Sequence, residues 1–207
     1  MIARISAYRN VWWSLANEWD IPRIKDEIDW EEIGTILQNE DPHQRFRGIH
    51  NWHGSEEHFY DHSRPWITHI STQTSQFYNA IKWRNQYQKP LLFDEMRYEG
   101  DVPSGWGNLS SEDMASYFWM AGLSGGYGMH GDTFRNRSDD ETEVRWWAKG
   151  GLLVGRSPIR IAFFRFFMET LPVKEMTPSI VDNGDPKNLR NNVYTFSKEG
   201  EVYVSYV

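Results

Sequence analysis

The sequence predicts an α/β fold, and two observations lead to this prediction. Short apolar runs alternate with amphipathic segments of helix length through most of the 207 residues, which is the pattern of strand–helix units around a parallel sheet. The pattern changes after Pro172, where β-branched and aromatic residues form runs with no helical segment beside them. We therefore expect a strand–helix domain over residues 1–172 and the start of an all-β domain over residues 173–207.

Five apolar runs are candidate strands, because parallel strands are covered on both faces and read as nearly continuous apolar sequence. They are NVWWSLA (10–16), FRGIH (46–50), WITHI (66–70), PLLFDE (90–95) and GGYGMHG (125–131). A closed (β/α)8 barrel, or TIM barrel, needs about 250 residues. Five strands in a shorter chain therefore predict part of such a barrel, namely its C-terminal half.

The segments between these strands carry helix start and stop signals. Asp29 is positioned to cap WEEIGTILQN, and Pro90 ends a helix predicted over residues 74–88. SSEDMASYFWMAGLSGG has a serine cap and a glycine stop. SPIRIAFFRFF opens with Ser157 at the expected cap and Pro158 at the first helical position. After these helices, VYTFSKEGEVYVSYV predicts a β-hairpin around KEGE.

Composition excludes several classes of function. The net charge is -7 and the 22 Lys and Arg residues are scattered, so the chain has no basic stripe for binding nucleic acid. There is no cysteine for a disulfide, a thiolate nucleophile or a cysteine-ligated zinc. The sequence shows no export signal and no apolar run of membrane length. We therefore expect a cytoplasmic protein with no membrane partner, and a periplasmic or secreted parent protein is the alternative.

Polar residues that close the apolar runs are the candidate site residues, because active sites of strand–helix barrels are built at the carboxyl ends of the strands. In strand order they are Asn17 and Glu18; His50 and Asn51; His69, Thr72 and Gln73; Asp94 and Glu95; and His130, Gly131 and Asp132. Glu18 and Glu95 are a pair of carboxylates that can flank a glycosidic bond, one protonating the leaving oxygen and the other attacking the anomeric carbon.

These residues resemble a known family. An Asn-Glu pair closing one strand, and LLFDE closing a strand three units later, resemble clan A of the retaining glycoside hydrolases. YRNVWWSLANEWD, FDEMRYEGD and GGYGMHGDTF are similar to bacterial glycosidases related to the apiosidases, and this likeness covers most of residues 1–172. The resemblance implies that the five strands are the fourth to eighth of the barrel, and that the substrate is a carbohydrate.

The resemblance also implies roles for individual residues. Glu18 would be the acid/base, Glu95 the nucleophile, and Asn17 a hydrogen-bond partner of the sugar's 2-hydroxyl. The first three strands of the family are absent, together with an arginine near the nucleophile and part of the sugar site. We therefore expect a truncated or partial catalytic domain.

The histidines allow more than one interpretation. His50, His69 and His130 each close a predicted strand, and each is either a contact for sugar hydroxyls or a packed core imidazole. His50, His53, His58 and His62 lie close in sequence, and imidazole is a good metal ligand, but their spacing fits no metal motif and favours a polar loop. We expect no metal and no cofactor.

Aromatic residues make up 15% of the chain and provide both core bulk and stacking faces. Trp12 and Trp13 are adjacent on one strand, so they point to opposite faces and only one of them packs under the helices. Tyr98, Trp52 and Trp106 follow strand ends in loops. Each of the three is either a stacking surface for a sugar ring or an ordinary loop anchor, and we select Tyr98 as a sugar contact.

Two other functions stay open at the level of sequence. One is a half-barrel that binds carbohydrate without catalysis, and the other is a metal-dependent hydrolase built on the histidine loop. A half-barrel also exposes its edge strands and an apolar face. We therefore expect either self-association or a missing N-terminal half that covers them.

Overall fold

The computed structural model describes residues 2–22, 28–52, 54–137, 144–145, 150–181 and 192–207. The chain divides into two compact units. Unit 1 comprises residues 1–74 and 82–92, and unit 2 comprises residues 75–81 and 93–207.

The helices and strands follow one another along the chain as α1 (Ile2–Ile5), β1 (Trp13–Ser14), α2 (Trp30–Glu40), β2 (Arg47–Gly48), β3 (Ile70–Thr72), α3 (Ala80–Tyr87), β4 (Leu91–Phe93), β5 (Glu99–Gly100), α4 (Ser111–Leu123), β6 (Tyr127–Gly128), β7 (Asp132–Thr133), β8 (Asn136–Arg137), β9 (Val144–Arg145), α5 (Ser157–Glu169), β10 (Thr177–Val181), β11 (Val193–Lys198) and β12 (Val202–Tyr206). Short 3₁₀ turns occupy Glu56–His58, Phe77–Asn79 and Val173–Glu175.

The strands of unit 1 are short and buried. β1 and β2 are parallel, with Trp13 opposite Arg47. The Ile70 amide at the start of β3 donates to the Pro90 carbonyl just before β4, at 2.8 Å. Parallel pairing of strands separated by a helix is the arrangement that alternating strand and helix signals predict.

The core of unit 1 forms where α2 packs on Trp66. Trp66 and Ile67 are buried together with Trp30 and Ile49. A Cβ atom at Gly34 of α2 would collide with the Trp66 ring, so the helix approaches the ring this closely because that residue is glycine.

Trp12 and Trp13 point to opposite sides of β1, as predicted. Trp13 is 7% exposed and Trp12 is 55% exposed. The Trp13 indole Nε1 donates to Oδ2 of Asp41 at 3.1 Å. Asp41 directly follows α2, so this hydrogen bond joins the strand to the end of the helix.

The Asp41 carboxylate is buried and accepts several hydrogen bonds. The donors include the Arg45 amide at 2.8 Å, the Arg45 guanidinium at 2.8 Å and the His43 amide at 3.3 Å. Burial by itself raises the pKa of Asp41, but these donors and the charge of Arg45 outweigh it and leave the pKa below its ordinary value. The same guanidinium donates to the carbonyl oxygens of Ser6 and Tyr8, which fixes the segment before β1.

Unit 2 is built around aromatic and methionine side chains. Phe77 makes edge contacts with the rings of Phe93 and Tyr117, at centroid distances of 4.9 and 5.2 Å. Met96 is fully buried, and its Cε atom would lie 2.6 Å from a Cβ at Gly128. The absence of a side chain at that position of β6 therefore makes room for Met96.

Two buried carboxylates hold the start of α5. Glu99 accepts hydrogen bonds from the amides of Arg156 at 2.7 Å and Ser157 at 3.0 Å. Asp132 accepts from the amides of Val154 and Gly155, both at 2.9 Å. The first amides of a helix have no partner within the helix, so Glu99 of β5 acts as the cap of α5, and Asp132 of β7 fixes the segment just before it.

The last three strands form an antiparallel sheet in the order β10, β11, β12. The hairpin predicted around KEGE is confirmed, because β11 ends at Lys198 and β12 begins at Val202. The Trp119 ring of α4 stacks on Tyr206 of β12 with an interplanar angle of 7°. The phenol of Tyr206 donates to Ser116 at 2.7 Å, which attaches the sheet to α4.

Four of the five strands predicted over residues 1–172 coincide with strands of the structure, namely β1, β2, β4 and β6, and one prediction is displaced. β3 begins at Ile70, whereas WITHI starts at Trp66. Trp66 and Ile67 are apolar because they belong to the core cluster, and apolar sequence reports burial whether or not the backbone is extended. The short strands β5, β7, β8 and β9 have no continuous apolar run and are not predicted.

The helix predictions also needed correction at two positions. The helix expected over residues 74–88 is a 3₁₀ turn followed by α3. Ser157 is the first residue of α5, and Arg156 occupies the cap position, because Glu99 supplies the capping oxygens. The cap at Asp29 is confirmed, since its side chain accepts from the Glu32 amide at 2.9 Å.

The α/β class is confirmed, but the sheets of the described residues have only two or three strands and do not close into a barrel. Over the same described ranges, no helix combines the length and apolar character that crossing a membrane requires.

We expect Asp41→Asn to destabilise unit 1 by about 2–3 kcal/mol, because an amide cannot accept all of these hydrogen bonds. The native pKa of Asp41 is lowered, so its ionised form stabilises the fold above the ordinary pKa of 3.8, and this contribution disappears as the pH falls through the native value. Thermal unfolding measured from pH 7 to pH 2 would show the variant losing less stability in acid than wild type. Glu40→Gln, at the exposed neighbouring position, is the control. If Asp41→Asn loses as much stability in acid as wild type, the Asp41 carboxylate is not the stabilising group.

Glu99→Gln should release the start of α5, because glutamine offers one acceptor oxygen where two amides donate. A loss of about 1–3 kcal/mol is expected, with faster hydrogen exchange at the amides of residues 154–157. Exchange measured by mass spectrometry would test this against the exposed control Glu199→Gln. Equal protection of these amides in both variants would exclude the capping role.

Candidate active site

Glu18 follows β1 in an unusual backbone conformation. Its φ angle is 59°, in the left-handed region that costs a non-glycine residue about 1–2 kcal/mol. The next residue, Trp19, donates its amide to the carbonyl of His50 at 2.9 Å, and the His50 amide donates to Ala16 at 3.3 Å. The turn that carries Glu18 is therefore tied to the end of β2 on both sides.

The end of β3 supplies a partner for the Glu18 carboxylate. Gln73 Nε2 donates to Glu18 Oε1 at 3.4 Å. Gln73 is itself held, because its backbone amide donates to Asn51 Oδ1 at 3.0 Å and Asn51 is only 1% exposed. The carboxyl ends of β1, β2 and β3 thus meet at Glu18, as expected where the active site is built at the carboxyl ends of parallel strands.

Asp20 and Trp52 make a second connection between the loops after β1 and β2. The Trp52 amide donates to Asp20 Oδ1 at 2.5 Å, and His58 Nδ1 lies 3.7 Å from Asp20 Oδ2. Asp20 is 6% exposed. These contacts hold the loop after β2 against the turn that carries Glu18.

The predicted sugar contacts of unit 1 have different surroundings. Asn17 is exposed, next to Glu18. His50 is buried, and its backbone takes part in the link to β1. His69 is also buried, with its Nδ1 3.1 Å from Thr68 Oγ1 and its ring 5.6 Å from that of Trp12. Of the two interpretations that the sequence allows for His69, a sugar contact or a packed core imidazole, its surroundings favour the core imidazole.

Glu95, Tyr98 and His130 are the predicted site residues of unit 2. Glu95 is half-buried and follows β4, directly before the buried Met96. His130 follows β6, and its Nε2 lies 3.9 Å from Glu99 Oε2. Tyr98 packs edge-on against the ring of Trp106, with the two centroids 6.1 Å apart.

The sequence singled out Asn51 and Gln73 as polar residues at strand ends, but it did not predict that they support Glu18. Asp20 was not predicted at all, because one acidic residue in a loop carries no signal of its partner. Glu18 belongs to unit 1 and Glu95 to unit 2, and their joint action stays a prediction.

The histidine loop was the basis of the metal alternative. Across the described part of the chain, no group of three or more His, Asp or Glu side chains is arranged to hold a metal ion. His53 lies outside the described residues. His62 packs edge-on against Phe59 and Tyr87, with ring centroids 6.0 and 5.4 Å apart, which favours a packing role for this histidine.

Solved structures that share this fold include glycoside hydrolases. A candidate glycoside hydrolase from Bacteroides vulgatus matches 94% of the chain with 30% sequence identity and a TM-score of 0.73. A glycoside hydrolase family 5 structure from the same organism matches 95% of the chain with 16% identity and a TM-score of 0.64. The chain spans 37% and 50% of the lengths of these two proteins. No curated protein matches it.

The fold is thus one found in glycoside hydrolases. Residues 1–135 match the family described as apiosidase-like, catalytic domain. The chain belongs to this apiosidase-like family, and the resemblance seen in its strand-end motifs is confirmed.

Asn51→Ala should disturb the strand-end connection, because the Gln73 amide loses its acceptor inside the fold. We expect a loss of about 1–3 kcal/mol in the free energy of unfolding and weaker ordering of the Gln73 side chain. Chemical denaturation and the NMR line widths of the Gln73 side-chain amide would measure the two effects. Asn39→Ala, at an exposed position of α2, is the control, and unchanged line widths would show that Asn51 does not position Gln73.

Proposed function

We propose that this chain is part of the catalytic domain of a retaining glycoside hydrolase. The observation that carries the proposal is the Asn-Glu turn after β1, with Glu18 held by Gln73 from the end of β3, in a chain of the apiosidase-like family. Within this proposal Glu18 is the acid/base and Glu95 is the nucleophile.

The proposed architecture is the part of a (β/α)8 barrel that runs from its fourth to its eighth strand. The parallel pair β1 and β2 and the fraction of the structural relatives that the chain spans, 37% and 50%, support it. Residues 173–207 are proposed as the beginning of a β-rich C-terminal domain, whose first strands pack on α4 within unit 2. The exposed Trp12 and Phe46 side chains on one side of β1 and β2 support the idea that further protein covers this face.

The proposed reaction is a double displacement. The Glu95 carboxylate attacks the anomeric carbon while Glu18 gives its proton to the departing glycosidic oxygen. Glu18, now ionised, then takes a proton from a water molecule. The oxygen of that water attacks the anomeric carbon, which releases the sugar and restores the Glu95 carboxylate. The configuration is retained because the anomeric carbon is inverted twice. The two carboxyl groups are expected to lie about 5–5.5 Å apart, as in other retaining enzymes.

Gln73 has a defined part in this scheme. Its amide donates to Oε1 of Glu18, so Gln73 orients the carboxyl group that is proposed to protonate the leaving oxygen. Asn17 is assigned to the 2-hydroxyl, and His50, Tyr98 and His130 are the other proposed sugar contacts, whereas the packing of His69 against Trp12 and Phe46 favours its core alternative.

A half-barrel that binds carbohydrate without cleaving it is the second candidate. It is favoured by the extent of the chain, which spans 37% and 50% of the lengths of the two structural relatives. The hydrolysis assay described next separates the binding half-barrel from the hydrolase.

Hydrolysis of a panel of 4-nitrophenyl glycosides by the 207-residue chain tests the proposal. Glu95→Gln should abolish turnover, and Glu18→Gln should lower it by about 10²–10⁴-fold, which is the usual contribution of a general acid. The first anomer released, observed by proton NMR, should have the configuration of the substrate. Glu57→Gln, whose side chain is 78% exposed, is the control.

Each outcome of this assay is informative. Turnover that survives Glu95→Gln, or an inverted first product, would refute the retaining mechanism. Binding of glycosides with no turnover by wild type would support the binding half-barrel.

A further inference from the structure

The loop of residues 101–109, which we call the Trp106 loop, is fixed by its own backbone. The Trp106 carbonyl accepts from the Tyr98 amide at 2.8 Å, and the Leu109 amide donates to the Tyr98 carbonyl at 3.0 Å. The Gly107 carbonyl accepts from Thr133 Oγ1 of β7 at 2.7 Å. The loop is thus joined to the segment that follows Glu95 and to the neighbouring strand.

Arg97 holds the same loop with its side chain. Its Nε donates to the Gly105 carbonyl at 2.5 Å and one terminal nitrogen donates to Asn108 Oδ1 at 3.2 Å. The other terminal nitrogen donates to the Tyr117 hydroxyl of α4 at 3.4 Å. The φ angle of Arg97 is 93°, a strained value for a non-glycine residue, and such strain is common at functional sites.

These bonds present Trp106 as a fixed aromatic surface. The side chain of Trp106 is 43% exposed, although its backbone is hydrogen-bonded and its ring rests edge-on against Tyr98 at 87°. An exposed indole that is held rigidly loses little conformational freedom when it binds a ligand. Tyr98 is three residues from Glu95, and Trp106 is joined to Tyr98 by a backbone hydrogen bond and by the ring contact, so the loop is anchored to the segment that follows the proposed nucleophile.

We propose that Trp106 is a substrate-binding residue that stacks on the apolar face of a sugar ring next to the bond that is cleaved, and that Arg97 is its positioning residue. The inference rests on the proposed function, because it takes Glu95 as the nucleophile. Sugar rings present C–H groups on one face, and an indole is the largest flat apolar surface a protein has for them.

The rings of Trp106 and Tyr98 offer apolar faces, which fit the C–H face of a sugar ring. Three of the five N–H groups of Arg97 donate to neutral oxygens of the protein, so the guanidinium is directed at the loop that it positions. An uncharged sugar ring is therefore the probe that tests the aromatic contact by itself.

The test compares Trp106→Ala, Trp106→Phe, Arg97→Gln and Arg97→Lys in the full 207-residue chain. Kinetics use 4-nitrophenyl glycosides, and binding is measured by the retardation of the protein in native gels that contain neutral soluble polysaccharides. Tyr8→Ala, which removes an aromatic ring of unit 1 that is 64% exposed, is the control. Thermal unfolding of every variant establishes that it is folded.

Trp106→Ala should raise KM about tenfold, equivalent to about 1.4 kcal/mol of binding, with kcat changed by less than about twofold. Trp106→Phe should recover most of the loss, because a smaller ring still stacks. Arg97→Gln should reproduce the rise in KM, and Arg97→Lys should recover it only in part, because lysine cannot reach three acceptors at once.

The inference and the proposed function fail in different ways. If Glu95→Gln abolishes turnover while Trp106→Ala leaves KM and gel retardation unchanged, only the stacking role is overturned. If Glu95→Gln remains active but Trp106→Ala loses gel retardation, the double-displacement mechanism is overturned and the stacking role of Trp106 is supported. A wild-type chain that neither cleaves any glycoside nor is retarded by any polysaccharide would overturn both.

Discussion

The buried carboxylate of Asp41 is the constraint on which the first strand depends. It binds the Trp13 indole, the Arg45 guanidinium and two backbone amides, so the end of α2 and the first strand are fixed against each other. Side chains alternate along a strand, and once Trp13 is held inside, Trp12 must point to the other face. The start of the turn that carries Glu18 is set by the same strand. The position of the proposed acid/base, Glu18, therefore depends on the hydrogen bonds that Asp41 makes at the start of the same strand.

Both proposed catalytic carboxylates lie beside strained backbone. Glu18 is itself in the left-handed region, and Arg97, two residues after Glu95, has a φ angle of 93°. In each case hydrogen bonds from other segments hold the conformation: the link to His50 after β1, and the Arg97 bonds to the Trp106 loop after β4. Strain that is supported in this way is a feature of sites whose geometry is built before the ligand arrives.

The sequence predicted those features that depend on local chemistry. Strand positions, the cap at Asp29, the hairpin and the strand-end carboxylates follow from apolar runs, capping residues and turn residues. It did not predict features that depend on distant partners. The support of Glu18 by Gln73 spans 55 residues, and Glu99 caps α5 from 57 residues away. Nothing in the sequence near Ser157 reveals a second capping group, which is why the cap position was assigned one residue too late.

Gly48 in β2 has a consequence for how this sequence can vary. A Cβ atom there would lie 2.7 Å from Nε2 of His69, and the buried imidazole is enclosed by Trp12 and Phe46 and so has little space to retreat. Positions 48 and 69 therefore share one fixed volume. A chain of this family with alanine or serine at the first position should have a smaller residue at the second, so the two sites should change together even though 21 residues separate them.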